Sequence, residues 1–268
     1  MSTDNKKNQK PVRTVLTERD IQILTHVAEN RIVTMAELYA RFFVGQKIDA
    51  AKSTLRRLRG RRGGQRYLRP QQIDQKRVGY VLTRRGCRTL NLPTKRSASL
   101  GPQTTIQQLA LSEYLRGNPT RELARGDNLR TLLKKPAGRL PKQYFITEEA
   151  EDGVRLKLVF IHFGGNPPNS AQRIGDTLKR LSDQNWFAAI LADRCLDIVL
   201  LTGIKQAVKT LQAALTAVID QALTVVVRKT VGNERPSAVI GVTVEYTASV
   251  EALILARDSR PKRGRNTR

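Results

Sequence analysis

The stretch from Ile48 to Leu90 constrains the fold more than any other part of the chain, because in it a helical period gives way to a strand period across a pair of glycines. Ala51, Leu55 and Leu58 recur at i, i+4 and i+7, an apolar stripe on a helix from about Ile48 to Gly60, while Lys52, Ser53, Arg56 and Arg57 lie away from it. Gly63-Gly64 ends the helical region. Arg66-Tyr67-Leu68-Arg69 and Arg77-Val78-Gly79-Tyr80-Val81-Leu82 then read as two strands joined by the polar loop Pro70 to Lys76. A helix written this way rests on a small core and offers its cations outward.

Upstream, two helix-start signals each precede an apolar period. Thr17 with Asp20 is a variant of the capping box, and Ile21, Leu24, Val27 and Ala28 follow at helical spacing as far as Asn30. Arg31-Ile32-Val33 is short and β-branched, as a brief strand would be. Thr34 and Glu37 form a full capping box for a second helix, Met35 to Phe43, with Leu38 and Phe42 on one face. Gly45 breaks it, and the turn before Ile48 is too short for anything but an angled helix pair. Residues 14–92 are thus expected to hold three helices and a β-ribbon.

A formal net charge of +25 over 268 residues, with a sequence pI near 10.9, is far beyond what solubility requires and makes a polyanion the expected partner. Asp74 is the sole acid between Lys52 and Arg88, whereas a merely solvated surface would mix both signs. The run Tyr80-Val81-Leu82-Thr83-Arg84-Arg85-Gly86-Cys87-Arg88-Thr89-Leu90 resembles the Y-x-L-T-x-x-G-x-x-x-L ending shared by many winged helix-turn-helix domains, with Thr83 capping the helix that follows. The resemblance implies a double-stranded DNA partner, with the third helix in the major groove and the hairpin as a wing on the backbone or minor groove. On that reading Lys52, Ser53 and Arg56 are placed to reach base edges, and Arg56 on a guanine is the foremost candidate. Arg57, Arg59, Arg61 and Arg62, late in the helix or beyond it, hold phosphates. Arg69, Lys76 and Arg77 let the wing reach the duplex, and Arg66, Arg84 and Arg85 belong to the same basic surface.

Other classes find little support. No stretch reaches the ~18 uninterrupted apolar residues of a membrane span, so no membrane partner and a cytoplasmic location are expected. Cys87 and Cys195 are far apart, and neither His26 nor His162 has a metal-ligand neighbour at a zinc spacing, so no disulfide, metal or cofactor is expected. Residues 1–13 and 257–268 read as basic arms too polar to bury a core.

Residues 93–103 have the composition of a linker, and residues 104–256 alternate helix and strand periods as an α/β domain would. Helices are expected from Thr105 to Gly117, around Asn128 to Leu133, from Ser170 to Phe187 and from Ile204 to Val218. Strands are expected at Gln143 to Thr147, Leu156 to Phe163, Ala188 to Ala192, Leu196 to Thr202, Thr224 to Val231 and Ala238 to Tyr246. The fold class is therefore α+β, an N-terminal winged helix-turn-helix followed by a small α/β domain.

That arrangement, with Gln107-Gln108-Leu109-Ala110-Leu111-Ser112-Glu113 on the helix after the wing, resembles the replication-relaxation family of plasmid and mobile-element proteins. It implies an accessory factor for replication, transposition or conjugative mobilisation, such as a relaxosome component. Its second domain would be like a degenerate restriction-endonuclease fold, contacting another protein, a second copy of the chain or more DNA. Nuclease chemistry on such a fold needs a Pro-Asp on one strand and an acid-x-Lys on the next to hold a divalent ion. In Arg139-Leu140-Pro141-Lys142-Gln143 a lysine stands where the aspartate would be, and Leu158 to Gly164 contains no acid, so an enzyme is not expected. A metal-dependent nuclease would have to use Asp193 and Asp197 around Cys195 instead, and Gly164-Gly165-Asn166 lacks the ending of a P-loop. The competing reading is a transcriptional regulator whose α/β domain senses a ligand or dimerises.

Overall fold

The computed structural model describes residues 15–60, 65–74, 77–135, 138–151, 153–248 and 250–251. Among the described residues the chain is mixed α+β with two sheets, and it divides into two compact units, Met1–Leu109 and Ala110–Arg268. The expected basic arms lie outside the described residues, as do Gly63-Gly64.

The first unit contains α1 (Glu18–Asn30), β1 (Val33–Thr34), α2 (Met35–Phe42), α3 (Ile48–Leu58), β2 (Leu68–Gln72), β3 (Val78–Leu82) and α4 (Arg84–Thr89). A 3-10 turn at Thr94–Ser97 and α5 (Pro102–Arg116) follow, α5 running across the division between the units. The three strands form an antiparallel sheet in the order β1-β3-β2. Its core joins Ile23, Leu24 and Val27 of α1, Leu38 of α2 and the Ala51, Leu55, Leu58 stripe of α3 with Leu68, Leu82 and Cys87. Ile21, expected in that core, faces solvent, and Ile23 takes its place. The expected Pro70 to Lys76 loop is shorter than predicted, because β2 continues through Pro70 to Gln72 with Pro70 opposite Tyr80. Proline is tolerated there because β2 is an edge strand.

The stretch expected as a linker at residues 93–103 is instead tied to that edge. Arg69 Nη2 donates to the Ser97 carbonyl (3.1 Å) and to Ser99 Oγ (3.0 Å). Gln71 exchanges two bonds with the backbone of Leu100, each 3.1 Å long. These bonds carry the first unit past residue 92, and the division falls between Leu109 and Ala110.

In the second unit β4 (Glu122–Ala124), α6 (Gly126–Leu132), β5 (Tyr144–Ala150) and β6 (Gly153–His162) precede α7 (Pro167–Ser182), α8 (Asn185–Ala192) and β7 (Leu196–Thr202). A 3-10 turn at Lys205–Ala207, α9 (Val208–Thr230), α10 (Pro236–Val239) and β8 (Gly241–Tyr246) complete it. The sheet order is β4-β5-β6-β7-β8, antiparallel from β4 to β6 and parallel from β6 to β8. One face, with Phe145, Leu158, Ile198 and Leu200, packs against α7, α8 and α9.

Two expected strands are helices. Ala188 to Ala192 belongs to α8, which buries Trp186, Phe187, Ile190 and Leu191; a short unbroken apolar run carries no period that distinguishes the two states. Thr224 to Val231 largely forms the end of α9, which extends well beyond the expected Val218. There Leu211, Leu215, Ile219, Leu223 and Val227 make a stripe every four residues, and its burial overrides the β preference of Thr224-Val225-Val226-Val227. Among the described residues α9, with the 3-10 turn before it, is also the one helix long and apolar enough to cross a membrane, while this stripe is part of the core of the unit.

Candidate nucleic-acid interface

The scaffold of the basic surface begins with Asp20. Its backbone amide and carboxylate complete the capping box with Thr17, at 3.3 and 2.8 Å, which fixes the start of α1. The same carboxylate, fully buried, receives Arg57 in a two-pronged bond of 2.5 and 2.6 Å. Burial pushes the Asp20 carboxyl up, but the Arg57 guanidinium and the Thr17 groups outweigh it and hold the group below the usual carboxylate range. The pair locks α3 onto α1. Arg57, expected to hold a phosphate, is thereby corrected to a structural residue, for its guanidinium points back at α1.

The other face of α3 is different. Lys52, Ser53, Arg56 and Arg59 are all exposed, opposite the buried Ala51, Leu55 and Leu58. Lys52 meets Asp49 at 3.2 Å, an open pair of little strength. Among the described residues no carboxylate pairs with Arg56 or Arg59.

The end of α3 is joined to the next two elements by backbone bonds. Tyr67 N donates to Leu58 O (2.8 Å), Thr83 N donates to Tyr67 O (2.9 Å), and Thr83 Oγ1 donates to Arg66 O (2.6 Å). Thr83 also caps α4 by accepting from Gly86 N at 3.1 Å. Gly86 is required because a Cβ there would sit 2.4 Å from the Tyr67 carbonyl oxygen. This close approach brings the exposed Arg66, Arg84 and Arg85 to the end of α3 that carries Arg59, and Arg85 lies 5.5 Å over the Tyr67 ring.

On the ribbon, Arg77 is held by Asp74, through Nε (2.5 Å) and through its backbone amide (2.8 Å), so its charge is compensated where the turn closes. Arg69 is half-buried and engaged with residues 97 and 99 as above. Arg61, Arg62 and Lys76 lie outside the described residues. The structure therefore brings Lys52, Ser53, Arg56, Arg59, Arg66, Arg84 and Arg85 to the exposed surface of the first unit and turns Arg57, Arg69 and Arg77 to internal partners. No family model, curated protein or solved structure matches this chain.

Sequence reasoning overlooked Arg88 and Lys95. Arg84 and Arg88 are four apart on α4, which places them on one side of it, and Lys95 follows on the 3-10 turn. The signal that could have found them is the continued absence of acids from Gln75 to Leu100.

In the second unit three carboxylates that could serve a nuclease are each engaged by a cation. Asp197 is bound by Arg155 at 2.9 and 2.5 Å, Glu148 by Lys157 at 2.7 Å and by Arg121, and Asp193 by Lys134 at 3.1 Å. Burial raises the Glu148 carboxyl, but Lys157 and then Arg121 bring it below its ordinary range. Arg121 also stacks 3.8 Å from the Tyr114 ring centroid. Arg139 to Gln143 precedes β5 rather than lying in it, and Gly164-Gly165 takes two positive φ values in the turn before α7. Among the described residues no group of three or more His, Cys, Asp or Glu is placed to share a metal ion.

Proposed function

We propose that the chain is a double-stranded DNA-binding accessory protein whose first unit is a winged helix-turn-helix domain. The observation that carries this reading is the outward face of α3, where Lys52, Ser53, Arg56 and Arg59 stand exposed against a fully apolar inner stripe. The order of three helices, a β2–β3 ribbon and a capped α4 supports placing α3 in the major groove and the ribbon beside it. Arg56 and Lys52 then reach base edges, while Arg59, Arg66, Arg84 and Arg85 hold phosphates.

The biological process rests on the resemblance to replication-relaxation proteins: replication, mobilisation or transposition of a plasmid or mobile element, in the cytoplasm. The second unit supports that reading by its topology, an antiparallel meander followed by parallel strands entered through helices, as in a degenerate nuclease-like fold. Its role is then contact with a protein partner, a second copy or DNA rather than catalysis, because Asp197, Glu148 and Asp193 are each engaged by a cation. Titrating the full chain with labelled duplex at low ionic strength tests the central claim. Absence of any complex would overturn it.

A further inference from the structure

We infer that the cleft walled by β2, α4 and the 3-10 turn at Thr94–Ser97 is a phosphate site that grips the nucleic-acid backbone. The inference rests on the DNA-binding reading, shares Arg84 with it, and extends it to Arg69, Arg88 and Lys95. The cleft, about 590 Å3 and open to solvent, is lined by Arg69, Arg84, Arg88 and Lys95 with Ser97 and Ser99, and by no carboxylate.

Such a concentration is costly to fold. Arg84 and Arg88 are four apart on a helix of 6 residues, a like-charge spacing that weakens it. Arg31 and Arg96 add to the field close by: burial first, and then the neighbouring charge of Arg96, hold the Arg31 guanidinium below its ordinary value. Among the described residues no acid in this part of the fold relieves them. An anion bound in the cleft would.

The side chains suit a phosphodiester. Arg69 has Nη2 fixed by the Ser97 carbonyl and Ser99 Oγ, so its guanidinium is already oriented and its Nε and Nη1 N–H groups are left to donate singly to anion oxygens. Arg88 is exposed on α4, and Lys95 adds an exposed ammonium from the 3-10 turn. Because the cleft is open to solvent rather than enclosed, it suits a backbone passing along it better than a sequestered small molecule. Arg84 links the cleft to the basic end of α3, so one strand leaving the groove held by α3 would supply the phosphate.

The test uses the full chain, a fluorescently labelled duplex and a salt series. Arg88→Ala/Lys95→Ala is compared with the parent protein and with Arg173→Ala/Lys179→Ala, which removes two exposed cations from α7. The cleft variant is expected to shift the slope of log K against log salt by about one unit toward zero, so that a roughly fourfold rise in salt weakens it about fourfold less than the parent. The α7 variant is expected to keep the parent slope. An unchanged slope in the cleft variant overturns the inference while leaving DNA binding intact, and an equal change in the α7 variant overturns it by reducing the effect to net charge. Stabilisation by inorganic phosphate that the cleft variant loses, with its duplex slope unaltered, would assign the site to free phosphate and overturn the backbone source. A parent protein that binds no duplex at all defeats the DNA reading itself.

Discussion

Arg56 and Arg57 are neighbours in sequence with opposite fates. Arg56 is exposed and unpaired among the described residues, so Arg56→Ala should leave stability within about 0.5 kcal/mol of the parent. It should weaken binding to a selected duplex by about tenfold or more, the effect of losing one base contact worth about 1–3 kcal/mol. Urea unfolding and anisotropy on the same preparation check both. Arg57→Ala leaves the buried Asp20 carboxylate without its cation; Arg57 is 36% exposed, so the loss is put at about 2 kcal/mol, below the range for a fully buried pair. Asp20 also gives the fold a pH dependence. Its folded pKa is depressed, so its contribution is complete above its unfolded value of about 3.9 and is lost as pH falls through the folded one. Melting temperatures taken from about pH 5 downward should fall more steeply for the parent than for Arg57→Ala. The apolar stripe of α3 was legible from spacing alone, but the Arg57–Asp20 pair was not, because it joins residues 37 apart and Asp20 already had a local reason to be acidic.

At the scale of elements, the α3–β2–α4 junction depends on one glycine. Gly86→Ala puts a Cβ 2.4 Å from the Tyr67 carbonyl oxygen, a rigid backbone atom, so α4 must move away from the ribbon. Overpacking of this kind typically costs about 1–3 kcal/mol, and thermal unfolding should show it as an earlier transition. The sequence pattern located this glycine without revealing what it touches. Element type was readable wherever polar and apolar residues alternated with a clear period, as in α1, α2, α3 and β3. It failed where that contrast vanished, in the unbroken apolar run of α8 and the valines closing α9, since only the surroundings decide there whether the chain coils or extends. The ordering of residues 93–103 was equally hidden, for it depends on Arg69 and Gln71 reaching a segment roughly thirty positions away.

For the whole molecule, charge is the dominant property. With a formal +25, binding to duplex should be strongly salt-dependent; engagement of six to ten phosphates would reduce affinity by about 10³–10⁵ between roughly 50 and 200 mM salt. Titration of the full chain across that range checks this. The engaged acids of the second unit lead to a second expectation, that supercoiled plasmid incubated with the protein and magnesium or manganese stays uncut; nicking lost on Asp197→Asn would reverse the assignment. The outer edge of β2 has a consequence of its own. Pro70 has no amide hydrogen to give, and the segment at 97–100 already lies along that side. A neighbouring molecule is therefore hindered from adding a strand at this edge, which obstructs one path to fibrils in a crowded, DNA-free pool and directs self-association to other surfaces.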